Sequence, residues 1–525
     1  MFDAIKKNPD PLLAGGPDPT NPAPRGALVA VFSAVFLANF AMVMPAALSG
    51  VIQSDLQASG SQLGWISAIF FIPTAALELT FGVVGDLVGR KRLLVIGTLV
   101  LALGEAINVA APAVPVLMVG QAIAGIGAAI LFPTSLAAVA ALTPDPRSRA
   151  RGIATWTMAM AIGAASGPAI SGAIGLHASF HWAYAVVFLA AIACAVINVL
   201  AMVDSRAPEG RGLDIAGQIT FAVALTTILF GVIQGADVGY TSPPIIACLA
   251  GGAALLVVFV VIELRSRFPL IHTELFRSPT YTGAALVGLV NAVGFFAYNY
   301  CVSIRIGVIQ GQDSLTVGLA STIQVAVPLL IWPVFDRFLY RLAPRWVMVG
   351  GLSAMAIGQF WLAAVPISDT ALLDLTPSLL LAGFGFVAVV SSTSACMVDV
   401  PVHKEGIASG TISMARDTGA AIGIAAIGAI ALANAGSVLP DFLARFGVTG
   451  NALAVVQHVA EAGGPIAVAH ADLGPISARA MPAAQNALWH GYSLGFVWCG
   501  VFSVVSIAIA LVLIRVRNGQ DRETS

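Results

Sequence analysis

Apolar runs of about twenty residues recur from one end of this chain to the other, at 27–49, 62–84, 93–111, 116–141, 153–175, 183–203, 214–234, 244–263, 282–304, 315–335, 346–367, 375–398, 407–433 and 487–513. At the rise of an α-helix each is long enough to cross the hydrocarbon core of a bilayer. The expected fold is therefore all-α and polytopic, with fourteen transmembrane spans, numbered here in chain order. Over 525 residues the chain is 58% hydrophobic and 10% charged, which excludes an ordinary soluble domain. A net charge of -1 offers no basic field for nucleic acid. The cysteines at 194, 248, 301, 396 and 499 lie inside apolar runs without paired spacing, so they read as small core residues.

The few cations test the span count. With both termini inside, 21 of the 25 Lys and Arg residues fall in cytoplasmic segments. Arg305, Arg445 and Arg479 then fall outside, and Arg416 lies within a span. Losing one span scrambles this alternation, so the positive-inside rule supports fourteen. Residues 1–26 are polar and rich in Pro and Gly, with no apolar stretch behind Lys6 and Lys7, so no cleavable signal is expected.

Between spans 2 and 3 the chain reads GVVGDLVGRKR, from Gly82 to Arg92. An acid, Asp86, and the bases Arg90, Lys91 and Arg92 are set among glycines that leave room for close helix approach. In such a turn the acid is expected at a helix N-terminus and the cations near C-terminal carbonyls. In span 5, Gly163, Gly167, Pro168 and Gly172 place small residues at four-residue spacing, which suits close crossing, with a proline able to bend the helix.

The first of these stretches, with Gly82, Asp86, Gly89, Arg90 and Lys91 in the frame G-x-x-x-D-x-x-G-R-K, resembles the signature loop of the major facilitator superfamily. The second resembles the motif associated with antiporters of that superfamily. RGLDIAG (211–217), ELRSRFPLIHTELFRS (263–278) and HKEGIASGTISMARDTGAAIGIA (403–425) resemble segments of its fourteen-span drug:proton antiporter family. DRFLYRLAPR (336–345) stands where the second-half copy of the loop belongs. The resemblance implies a 6 + 2 + 6 organisation: a tail (1–26), a six-helix bundle (27–203), two extra helices with linkers (204–281), a second bundle (282–513) and a tail (514–525). An outer loop, 434–486, is expected to carry short helices over the mouth. Its His458, Glu461 and His470 read as solvated, and no metal or cofactor is expected. The resemblance also implies alternating access, with the signature loop latching the two bundles on the cytoplasmic side.

Two positions depart from that family. Asn39 or Phe40 stands where span 1 usually carries an acid, and Gln121, with Ala124, where span 4 usually carries an Arg in R-x-x-Q-G. Losing both members of a buried charge pair strands no charge. The candidates left for handling protons are Glu78 in span 2 and the adjacent Arg416 and Asp417 in span 13. A carboxyl at the depth of Glu78 is expensive to ionise and is expected protonated or paired. Glu105, nearer the outer end of span 3, is expected to snorkel to the interface.

The substrate is expected at the midplane, among spans 1, 2, 4, 5, 9, 10 and 12. Polar handles would be Asn39, Gln121, Asn291, Asn299 and Gln324. The walls would be Phe40, Met44, Phe70, Phe71, Trp156, Phe295, Phe296 and Tyr298. A mostly apolar site favours an amphipathic or lipid-like cargo. The function expected is proton-coupled export of small amphipathic or lipophilic molecules across the inner or plasma membrane. The alternatives are a lipid or fatty-acid exporter, a proton-independent facilitator, or a non-transporting receptor or scaffold. No phosphate-binding loop or ligand cluster points to an enzyme.

Overall fold

The computed structural model describes residues 25–514 apart from 144, 204, 206–211, 267, 340–341 and 396–404. The polar head before residue 25, the tail after 514, Arg211, Tyr340, Arg341, Cys396, His403 and Lys404 therefore lie outside the described residues. Within them are fourteen helices long and apolar enough to cross a membrane, and no strand. In order they are Arg25–Leu56, Gly60–Val88, Arg90–Val109, Val114–Leu142, Arg147–His177, Phe180–Ala201, Ile215–Val238, Pro243–Arg265, Pro279–Ile309, Ser314–Ile331, Pro344–Ala364, Leu372–Thr393, Ile407–Arg445 and Gly474–Leu513. They match the fourteen apolar runs one for one.

Local chemistry sets where several of them start. Ser59 and Gln62 form a reciprocal capping box ahead of span 2. Asp145 accepts from the Ser148 amide at 2.9 Å and Ser278 from the Tyr281 amide at 3.3 Å, opening spans 5 and 9. Pro243 and Pro344 open spans 8 and 11 from the first turn, where the missing N–H costs nothing.

Spans 1 to 6 form one packed group and spans 9 to 14 another, and the two are joined most extensively where span 10 packs on span 5. Span 7 lies against span 2 on one side and span 13 on the other, and the Gln218 amide donates to the Ala76 carbonyl of span 2. Span 8 packs on span 7 and turns Val257, Val260 and Leu264 outward. We call the end of the bundle that carries the Gly82–Arg92 loop the latch face and the opposite end the far face.

Three expectations are corrected here. Span 13 continues as one helix to Arg445, past Pro440. The outer segment then carries, as expected, two short helices, which make up Asn451–His470 and are separated by the non-helical Gly463 and Gly464, before span 14 begins. Glu105 does not snorkel: it is fully enclosed among spans 3, 4 and 6 and accepts from Asn108 at 3.3 Å. Arg305 is not in an outer loop but buried in a π-turn, Ile304–Ile309, that closes span 9. Its guanidinium donates to the Val365 and Pro366 carbonyls at 3.1 and 2.7 Å and lies 4.3 Å from the centre of the Trp489 ring. A buried cation is tolerable on those terms, because carbonyls and a ring face replace water. Cys194, Cys301 and Cys499 are buried free thiols and Cys248 is half-buried and free.

Candidate functional site

At the latch loop, span 2 runs to Val88 and Gly89 takes φ 116°, a conformation that favours glycine, before span 3 starts at Arg90. Asp86 is in the last turn of its helix rather than at an N-terminus, and Arg90 is the first residue of the next. Each is thus at the end its charge disfavours. The two compensate by pairing at 2.7 Å, with Asp86 buried. Arg90 also ties the turn to the segment after span 6, its amide donating to the Ser205 carbonyl at 3.1 Å. Lys91 is half-buried and Arg92 exposed.

A cavity of about 60 Å³ lies on the seam between the two groups of spans. Spans 1, 2, 5, 9, 10 and 13 line it, with Ser67, Asn299, Tyr300 and Ser321 as polar handles and no charged side chain. Phe71 of span 2 meets Phe296 of span 9 edge to face across the seam, ring centres 5.2 Å apart. Phe295 and Phe386 stack behind them at 3.9 Å. Sites for drug-sized ligands measure roughly 300–1,000 Å³, so this cavity must widen to take one.

Of the thirteen residues expected to hold substrate, Phe71, Phe295, Phe296 and Asn299 line the cavity. Asn39, Phe40, Met44, Phe70, Gln121, Trp156, Asn291, Tyr298 and Gln324 do not. Several are engaged elsewhere. Gln121 donates to the Tyr184 hydroxyl at 2.9 Å, Trp156 to Ser135 at 2.9 Å, and Tyr298 shares a 2.6 Å bond with Ser378. Gln324 stands one shell back, accepting from Asn299 at 3.0 Å. Asn39, Phe40, Met44, Phe70 and Asn291 are buried in packing. Spans 4 and 12 do not reach the cavity and Ile424 of span 13 does. Ser67, one turn before Phe71, Tyr300, next to Asn299, and Ser321, one turn before Gln324, were missed; their place in the helix beside an expected residue was the only signal for them.

Glu78, Arg416 and Asp417 are brought together across the seam. Arg416 pairs with Asp417 at 3.5 Å, and both act electrostatically on Glu78 of span 2. Glu78 and Asp417 are buried, and Glu78 Oε2 has no hydrogen-bond partner.

Toward the far face the two groups of spans bond directly across the seam. Ser314 donates to the Gly172 carbonyl at 2.8 Å, Thr322 to the Ala165 carbonyl at 2.8 Å, and Ser49 and Ser303 bond at 2.6 Å. The glycines of span 5 divide their work. Gly163 and Gly167 are pressed on the backbone of span 1, at Phe36 and Phe40, whereas Gly172 is pressed on span 10 at Ser314. Beyond this seal, Ile466 of the Asn451–His470 segment packs with Leu432 against Gly60 of span 2. His470 shares a 2.9 Å bond with the Val308 carbonyl. Among the described residues no three His, Cys, Asp or Glu side chains converge as a metal site.

The family model of the Major Facilitator Superfamily matches residues 29–424. The chain is 28% identical to the multidrug resistance protein Stp of Mycobacterium tuberculosis, over 78% of this chain and 77% of that protein. It is 27% identical to the multidrug efflux pump LfrA of Mycolicibacterium smegmatis, over 72% and 75%. With the tetracenomycin C resistance and export protein of Streptomyces glaucescens the identity is 22%, over 97% and 93%. Among solved structures, a POT family transporter in complex with 5-aminolevulinic acid matches with a TM-score of 0.61 at 13% identity, over 94% of this chain and 96% of that one. A bacterial homologue of the human lysosomal transporter Spinster, inward-facing and unoccupied, matches with a TM-score of 0.59 at 15% identity, over 94% and 98%. The paired acid and base of the latch loop, the seam cavity and this match to more than half of the chain agree: the protein is a membrane transporter, not an enzyme, and belongs to the Major Facilitator Superfamily.

Proposed function

We propose that this transporter exports small amphipathic or lipophilic compounds across the plasma membrane in exchange for protons. The observation that carries the reading is the seam cavity, whose walls are aromatic and whose polar groups are all neutral. Such a site binds by apolar contact and orients by a few hydroxyls and one amide, which favours neutral or lipid-like cargo over strongly cationic compounds. The relatives named for multidrug resistance, efflux and export support the direction of transport.

In this reading the bundles are 27–203 and 282–513, the extra pair with its linkers is 204–281, and both termini are cytoplasmic, so the latch face is the inner one. The seal of spans 5 and 10 is then the closed outer gate, and Gly82, Asp86, Gly89, Arg90 and Lys91 form the latch remade as the bundles rock. Glu78, with Arg416 and Asp417, is the proton-handling group. A buried carboxyl whose charged neighbours sit on the other bundle changes surroundings whenever the bundles separate.

The test is transport in proteoliposomes of purified protein, using a neutral lipophilic dye, with and without an imposed pH gradient. Dye flux that follows the gradient is expected. Flux indifferent to the gradient would leave a facilitator, and no flux of any amphipathic probe would overturn the reading.

A further inference from the structure

Where spans 3, 4 and 6 meet around Glu105, away from the seam, a group of three buried oxygen atoms lacks partners. Glu105 and Asn108 of span 3, Gln121 of span 4 and Tyr184 of span 6 are all fully enclosed. Both amide nitrogens are engaged: Asn108 Nδ2 donates to Glu105 Oε2 at 3.3 Å and Gln121 Nε2 to the Tyr184 hydroxyl at 2.9 Å. The oxygens are not: Glu105 Oε1, Asn108 Oδ1 and Gln121 Oε1 make no hydrogen bond. The groups are neighbours. Asn108 Oδ1 lies against the bare Cα of Gly120, next to Gln121, and Glu105 acts electrostatically on Tyr184. The interactions of Glu105 include no Lys or Arg among the described residues.

We propose that Glu105, Asn108, Gln121 and Tyr184 form a binding site for one monovalent hard cation, sodium, in the interior of the first six spans. All donors are oxygens, the set that hard cations take. One carboxylate balances one positive charge, whereas a divalent ion would leave a net charge in a low-dielectric interior. A proton on Glu105 supplies one donor toward two free amide oxygens. A cation at their centre engages the carboxylate and both amides together, and each buried oxygen left unpaired is costly. The occupied site ties span 3 to spans 4 and 6, so its ion acts on the stability of that bundle and not directly on cargo.

Two measurements on the purified full-length transporter in detergent test this. In choline chloride, the wild-type chain should retain radioactive sodium saturably at one ion per chain, and Glu105→Gln should retain none. The thermal unfolding midpoint should rise in sodium chloride over choline chloride at equal ionic strength, and that rise should vanish in Glu105→Gln. Wild-type binding needs no variant, so a poorly folded substitution does not blunt the test. Absence of retained sodium together with identical midpoints in the two salts, at acid and neutral pH, would assign the site to a proton and refute the proposal. A sodium effect undiminished in Glu105→Gln would refute it as well, by placing the ion elsewhere.

Discussion

Replacing Gly172 by Ala should jam the far-face seal while leaving each bundle folded. A methyl built on Gly172 falls 3.0 Å from the Ser314 carbonyl carbon, and closer still to its oxygen, where ordinary contact begins at 3.4 Å. Span 10 must retreat by about 0.4 Å to relieve the carbon and by more for the oxygen; overpacking of this kind costs typically 1–3 kcal/mol. On the export reading the strained contact joins two bodies that move apart in transport, so the cost falls on one access state rather than on the fold. A bias of about 1–3 kcal/mol corresponds to a shift of roughly 5–150-fold toward the state open at the far face. The readout is the alkylation rate of Ser49→Cys, in a chain lacking its native cysteines. Ser49 is buried at the seal against Ser303, so alkylation requires opening and should accelerate when Gly172→Ala is added. Gly163→Ala is the control, because its added methyl strikes the span 1 backbone within the same bundle. It should lower thermal stability without changing the alkylation rate. Equal alkylation rates with and without Gly172→Ala, or acceleration by Gly163→Ala alone, would refute the reasoning.

Four further outcomes are expected. Glu78→Gln, which keeps shape but fixes neutrality, should abolish gradient-driven export and spare substrate binding; pH-dependent export at the wild-type rate would remove Glu78 from the coupling route. Asp86→Ala and Arg90→Ala should insert and fold yet turn over severely more slowly, and normal turnover in both would reduce the loop to an anchor. A cysteine at Gly450 should react with an impermeant thiol reagent added outside intact cells; protection there would overturn the orientation. Burial holds the His470 imidazole below its ordinary 6.5, so its contribution to docking the Asn451–His470 segment is present above that value and lost as pH falls through and below it. Hydrogen exchange of residues 451–470 should quicken in acid in the wild type, and an equal response in His470→Gln would exclude the imidazole as its source.

What could be read from the sequence divides along a physical line. The fourteen spans were legible because a bilayer demands about twenty apolar residues and this chain supplies them in separate blocks. The span 13 extension was not, because Gly436 and Pro440 look like a stop and yet the helix runs through them. Which face of a span meets the cavity was also hidden. In a membrane the lipid-facing side is apolar too, so periodicity does not distinguish lumen from lipid. Gln121 and Phe71 are equally plausible as cavity residues on sequence, yet one hydrogen-bonds inside its bundle and the other meets Phe296 across the seam. Glu105 was misread for the same reason: depth along a helix was available, but not the enclosure that spans 4 and 6 provide.

The proximity of Glu78 to Arg416 and Asp417 gives the two family departures a common sense. In a chain with an acid in span 1 and an Arg in span 4, both partners would belong to the same bundle and would move together. Here Asn39 and Gln121 are neutral, and the charges near Glu78 are on the opposite bundle, at the face where span 7 also touches spans 2 and 13. On the export reading, separation along that face would take Glu78 away from both Arg416 and Asp417 and admit water to it. Losing the Arg416 cation disfavours the carboxylate, whereas losing the Asp417 anion and gaining water favour it. Proton release is therefore coupled to opening only if the last two effects outweigh the first. Reversing the balance by Asp417→Asn, which removes the anion but keeps Arg416, should then weaken the dependence of export on the gradient without abolishing binding. Unchanged gradient dependence in Asp417→Asn would leave water entry alone as the switch on Glu78.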